Sequence, residues 1–259
     1  MTLLWQSFCK NNQKAKGAVV HERERYCPPW IPDDVSGEHP VFISAVIDLS
    51  ASHMELDVHL SKDGIPVVMH DHTIDRMCNG KGRVMDYTVD ELKQFRVAES
   101  ERIPTLEEVL RFARGRITTL IELKQTGRLY PDLELKVFEV VDKLDMADQV
   151  IISSFDHYAL VRMREINPDV DICLLMGGSS PCVFPFMKDI SAHYMSIPHA
   201  FLTQEYAEEC MVHHVQLIVR PIDTEESMNK MLDFPSVLTS TNRWGLWKQF
   251  YETHVVPGG

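Results

Sequence analysis

Cysteine is scarce and unpaired in this chain of 259 residues: Cys9, Cys27, Cys78, Cys173, Cys182 and Cys210 are scattered, with no C-x-x-C spacing. That pattern argues against a disulfide scaffold and against a zinc site. Cys173, set in an apolar run, reads as a small buried hydrophobe. Long apolar runs are also missing, and no stretch approaches the ~20 residues of a membrane-spanning helix. The opening Met1–Phe8 turns polar at once, too short for the apolar region of a signal peptide. A reduced, cytoplasmic setting without stable membrane insertion is expected. Positive charge is in deficit, with 26 Lys and Arg against 38 Asp and Glu and a net charge of -12. Such a field repels phosphate backbones and anionic membranes, so nucleic acid is excluded as a general partner. A local cationic pocket for one small phosphate is compatible with it. No internal repeat or low-complexity segment is present.

What is present is alternation. β-branched runs at Ala18–His21, Met54–His59, Thr119–Lys124, Val150–Phe155, Ile172–Met176, Tyr194–Pro198, Leu217–Pro221 and Val237–Thr239 read as strands. Helical patterns lie between them, including Thr105–Ala113, Leu133–Leu144, His157–Ile166, Thr203–His213 and Glu225–Leu232. Thr105 precedes Glu108 by three residues, the spacing of a capping box. Eight strands separated by helices predict a parallel α/β sheet, and the length suits a (βα)8 TIM barrel; a doubly wound open sheet is the alternative. Asp63-Gly64 between two apolar runs predicts a hairpin after the second strand. That hairpin returns His70 toward the strand carrying Glu55 and Asp57. Residues 71–104 read as a small insertion within a single domain spanning 1–259.

Polar residues on the strands carry the chemistry. In Met54-Glu55-Leu56-Asp57-Val58, residues two apart share a face, so Glu55 and Asp57 stand side by side. An isolated pair of this kind fits an exposed strand face, but Leu56 and Val58 need burial on the other side. Two buried carboxylates without a cation would be costly, which favours a metal role. Ile121-Glu122-Leu123-Lys124 repeats the pattern with an acid and a cation; its alternative is a buried ion pair. His70 adds a group able to move protons near neutral pH, whereas His21, with Arg23 two residues on, is a weak signal. His53, His59 and the His213–His214 pair are expected on surfaces or outer faces, and Trp244 and Trp247 as packing residues.

The run Glu-Leu-Asp-Val-x-Leu-x-Lys-Asp-Gly-x-Pro-Val-Val-Met-His-Asp-x-Thr-x-Asp-Arg, from Glu55 to Arg76, resembles the signature of the glycerophosphodiester phosphodiesterase family. Asn79-Gly80-x-Gly82, Ile103-Pro104-Thr105-Leu106-x-Glu108-Val109, Ile121-Glu122-Leu123-Lys124 and Val150-Ile151-Ile152-Ser153-Ser154-Phe155 follow in family order. The resemblance covers roughly residues 51 to 176. It implies a (βα)8 barrel with an insertion after the second strand. It further implies one divalent cation, Mg2+ or Ca2+, on Glu55, Asp57 and Glu122, and hydrolysis of glycerophosphodiesters to glycerol 3-phosphate and an alcohol. His70 matches one of two acid–base histidines.

The other histidine belongs to a His-Arg-Gly motif whose Arg binds phosphate, and here it reads His21-Glu22-Arg23. The Pro-Glu-Asn-Thr motif that follows in the family is absent. Arg220 replaces the usual seventh-strand aromatic, and the Thr-Asp-x-Pro close of the eighth strand reads Thr239-Ser240-Thr241-Asn242. Strands one and eight adjoin in a closed barrel, so these departures fall on one wall. Lys124, with Arg23 or Arg220, would face the phosphate. Two other readings stay open: a phosphate-ester binder with little turnover, and a lysophospholipase D-like enzyme.

Overall fold

Apolar runs of three to eight residues build nine strands among the described residues: β1 (Ala18–His21), β2 (His53–Leu60), β3 (Pro66–Val68), β4 (Thr118–Leu123), β5 (Val150–Ser154), β6 (Asp171–Leu175), β7 (Tyr194–Pro198), β8 (Gln216–Arg220) and β9 (Leu238–Thr241). The computed structural model describes residues 51–97 and 102–254, together with the backbone of residues 18–21. Eight of the strands are parallel and pair in the order β1-β2-β4-β5-β6-β7-β8-β9, and β9 returns to β1. The sheet therefore closes into the expected (βα)8 barrel. β3 stands outside the ring, antiparallel on β2. The helices are α1 (Val89–Leu92), α2 (Leu106–Ala113), α3 (Leu133–Lys143), α4 (His157–Ile166), α5 (Val183–Asp189), α6 (Gln204–Val212), α7 (Glu225–Met231) and α8 (Trp244–His254).

Strand alternation divides the core in two. Met54, Leu56 and Val58 join Leu106, Leu110, Ile121, Leu123 and the apolar faces of the surrounding helices in one continuous outer layer. Leu120, Ile151, Cys173, Leu175, Tyr194 and Ile218 form a separate cluster inside the barrel. Cys173 is fully buried there, as its apolar context predicts. Trp244 and Trp247 are buried packing residues on α8. One expectation fails: His53 and His59 are buried, at 8% and 0% exposure. They alternate with Met54, Leu56 and Val58, so they share the inner face of β2 with Glu55 and Asp57. His213 and His214 are exposed as expected.

The hairpin turns on Ser61–Ile65, where Gly64 adopts φ 75°, a left-handed conformation that favours glycine. Ser61 closes the turn, donating from its hydroxyl to Asp63 at 2.7 Å. Beyond β3 the chain builds a small core of its own from Val67, Met69, Ile74, Val84, Leu92 and Ile103. Capping boxes start both helices of this region, Thr88 with Glu91 on α1 and Thr105 with Glu108 on α2. Gly80 sits so close to this core that a Cβ would lie 2.4 Å from the Phe95 ring and 2.9 Å from Ile74.

Gly80→Ala is therefore expected to lower unfolding free energy by about 1–3 kcal/mol, the usual cost of overpacking. Equilibrium urea denaturation measures it, and a loss below about 0.5 kcal/mol, the ordinary range for surface changes, would contradict the tight packing.

Candidate active site

The register of two adjacent strands builds the acidic centre. Asp57 on β2 is the direct neighbour of Glu122 on β4, and Glu55 lies two residues back on the same face. Glu55, Asp57 and Glu122 are all buried, and one carboxylate oxygen from each lies within 4.8 Å of the others. Lys124 follows β4, and its backbone N–H donates to the Val58 carbonyl at 3.1 Å. Its Nζ lies 2.9 Å from Glu122 Oε1 and 3.2 Å from Asp57 Oδ1. Burial works against the Lys124 charge, but the Asp57 and Glu122 carboxylates outweigh it and hold the ammonium above its ordinary value. Three buried carboxylates grouped in this way are hard oxygen donors that fit a divalent cation such as Mg2+ or Ca2+.

His70 arrives beside these groups through the hairpin. β3 pairs Val68 with Val58, and the next N–H, of Met69, donates to the Asp57 carbonyl at 3.0 Å. The His70 ring is then set by Asp71, whose Oδ1 lies 2.5 Å from Nδ1. Arg76 donates to the same carboxylate from Nε at 2.6 Å and Nη2 at 3.0 Å. That Arg76 hydrogen bond, with a further one from His70, holds the Asp71 carboxyl far below its usual range. An ionised carboxylate only accepts, so Nδ1 carries the proton and Nε2 is the basic nitrogen of the neutral ring. Arg76 Nη2 also lies 3.4 Å from Nδ1, but the shorter carboxylate contact decides the tautomer.

A second buried network has no counterpart among the sequence motifs. His59 lies two residues beyond Asp57, with Nδ1 3.0 Å from the Tyr130 hydroxyl and its ring edge-on to His72 at 4.8 Å. Gln125 clamps the Tyr130 backbone twice, accepting its N–H at 2.9 Å and donating to its carbonyl at 2.7 Å. Behind them, buried Glu134 receives Arg162 at 3.0 and 2.7 Å. Burial lowers His59 to about 3 and His53 to about 4, and pushes Tyr130 up to about 12. His53, His59 and Tyr130 are therefore neutral near pH 7. The signal that would have found His59 is the alternation that found Glu55 and Asp57; its Tyr130 partner is 71 residues away and has no local signature.

The remaining candidates are spread differently. β1 runs parallel to β2 with His21 opposite Glu55, which places that residue's backbone next to the acidic centre. Arg23 lies outside the described residues. Arg220 ends β8, donates from Nη2 to the Met176 carbonyl at 2.9 Å, and lies over the Phe155 ring at 4.9 Å. Arg220, Glu122 and Glu55 all act electrostatically on the Cys173 thiol, which burial raises strongly. At the end of β9, Asp223 accepts hydrogen bonds from the Thr241 hydroxyl and from the Asn242 backbone and side chain, at 2.6–2.8 Å.

Eight parallel strands closing on themselves with helices between them define a (βα)8 barrel protein, and the acidic cluster, with Lys124 directly after β4, lies on two of its adjoining strands. The chain belongs to the glycerophosphoryl diester phosphodiesterase family, whose model matches residues 42–218. It is 34% identical over 197 residues to a glycerophosphodiester phosphodiesterase of Caldanaerobacter subterraneus, covering 72% of this chain and 80% of that protein. A Bacillus altitudinis enzyme of the same name is 33% identical over 195 residues, covering 70% and 79%. Among solved structures, an Oleispira antarctica phosphodiesterase in complex with the product sn-glycerol-3-phosphate superposes with a TM-score of 0.77 at 18% identity, over 91% of this chain and 96% of that one. A Parabacteroides distasonis glycerophosphodiester phosphodiesterase gives 0.76 at 22%, over 92% and 98%. These two likenesses establish the barrel.

The neutral histidines predict acid lability. Their folded values lie below the ordinary 6.5, so the unfolded chain binds more protons between that value and about 4 for His53 or about 3 for His59. Their stabilising contribution is complete above pH 6.5 and is lost as the pH falls through that window. At about pH 5 the loss is about 2 kcal/mol for each histidine. Urea denaturation from about pH 7 to about pH 4 should show this slope, reduced by His59→Phe. An unchanged slope in the variant would contradict the burial assigned to His59.

Proposed function

We propose that this chain hydrolyses glycerophosphodiesters to glycerol 3-phosphate and an alcohol with the help of one divalent cation, Mg2+ or Ca2+. The observation that carries the proposal is the buried cluster of Glu55, Asp57 and Glu122 around one point, with Lys124 against it. Family membership and the glycerophosphodiester phosphodiesterases among its relatives support the substrate class. The three carboxylates would hold the cation, which when bound polarises the phosphoryl oxygens and offsets their charge.

The chain's own residues supply positioning and proton transfer. Lys124, with Arg23 or Arg220, would offset the phosphate charge. His70, held by Asp71, presents Nε2 as the group that accepts or donates a proton. His21 is the proposed partner, supported by its register beside Glu55. The attacker is water or the substrate's own glycerol hydroxyl; either way the base takes its proton and the acid delivers one to the departing alkoxide. The altered first and eighth strands favour one second reading, a phosphate-ester binder with little turnover. The four described cysteines are free thiols, which suits the proposed cytoplasmic setting. Among the described residues no helix is long and apolar enough to cross a membrane.

With Mg2+ or Ca2+, purified protein is expected to release glycerol 3-phosphate from glycerophosphoethanolamine. Chelation should abolish release, and His70→Ala should lower kcat by about 10²–10⁴-fold. Background release with metal present, alongside thermal stabilisation by glycerol 3-phosphate, would favour the binder. Full activity in His70→Ala would remove His70 from catalysis.

A further inference from the structure

The site has a second compartment beside it. An open groove of about 260 Å³ is lined by Met85, Leu129 and Tyr130 and rimmed by exposed His72, Arg83 and Thr126, and its surface is mostly apolar. His72 lies two residues beyond His70, and Thr126 two residues beyond Lys124, so the chain runs directly from the site residues into both sides of the groove. His59 joins them: it touches the His72 ring and the Tyr130 hydroxyl and lies on the β2 face that carries Asp57. The wall is also stiff, because Gln125 holds the Tyr130 backbone at two points. Taking His70 as the group that delivers the proton to the departing alkoxide puts the groove beside it on the side of the departing arm.

We infer that this groove binds the departing alcohol and selects glycerophosphodiesters whose alcohol carries an apolar body. The inference rests on the phosphodiesterase reading above and names the substrate class within it. A glycerol arm placed there would leave its hydroxyls facing apolar side chains, at the cost of unmade hydrogen bonds. An apolar alcohol would lose water-exposed surface against Met85 and Leu129 instead. None of the six lining residues is acidic, so an ammonium such as that of choline or ethanolamine finds no ion-pair partner among them. Arg83 is turned to Asp86, at 3.1 Å from Nε and 2.9 Å from Nη2.

The test compares kcat/KM for the hexyl ester of glycerol 3-phosphate with that for glycerophosphoethanolamine. Wild-type protein is expected to prefer the hexyl ester, and Leu129→Ser to reduce the preference about ten-fold. Thr126→Trp, at an exposed position, should do the same by filling the groove. It keeps the test decisive if the Leu129 variant folds poorly. A preference that stays within about two-fold of wild type in both variants overturns the inference while leaving the phosphodiesterase reading intact. A wild-type preference for a hexanoyl chain on the glycerol arm over the hexyl alcohol overturns the assignment to the departing arm. No turnover of any ester overturns the phosphodiesterase reading and this inference with it.

Discussion

Three buried carboxylates meeting at one point, with the Lys124 ammonium against them, are the constraint on which the rest of this structure depends. Desolvating like charges is expensive, and isolated buried charges are tolerated only when paired or coordinated. Lys124 contacts two of the three, which relieves part of the repulsion. A chain with this cluster in its interior needs a framework rigid enough to hold it.

Closed parallel pairing supplies that framework. The outward residues of β2 and β4, among them Leu56, Val58, Ile121 and Leu123, are fastened by the helices. Their neighbours in sequence therefore face inward, in a register that makes Asp57 and Glu122 direct partners. A shift of one residue in either strand would send the acids into the helix layer. The hairpin and the small core beyond it complement the sheet. They return His70 to Asp57 and lock its ring through Asp71 and Arg76. Packing on one side of the strands thus fixes electrostatics on the other.

Much of this is legible in the amino-acid sequence. All eight barrel strands announce themselves by β-branched runs whose ends agree within two residues. Alternation assigns Glu55, Asp57, Glu122 and Lys124 to one face, and Asp63-Gly64 marks the hairpin that delivers His70. Contacts distant in the chain are not legible. A strand-end histidine is ordinarily solvated, which is why the sequence puts His59 on an outer face. What buries it is Tyr130, 71 residues on, held by a glutamine clamp that has no sequence signature. α5 likewise has no clear sequence signal, since Pro185 interrupts its pattern and Cys182 makes no capping hydrogen bond. On the first strand the register places His21 beside Glu55, and Arg23 lies outside the described residues.

The central claim is that Glu55, Asp57 and Glu122 form one cation site. Isothermal titration of the metal-free protein with Mg2+ and with Ca2+ tests it without reference to turnover. The account predicts one divalent ion per chain for at least one of the two, and loss of that binding in Asp57→Asn. Failure of both ions to bind, or a stoichiometry and affinity unchanged by Asp57→Asn, would contradict it.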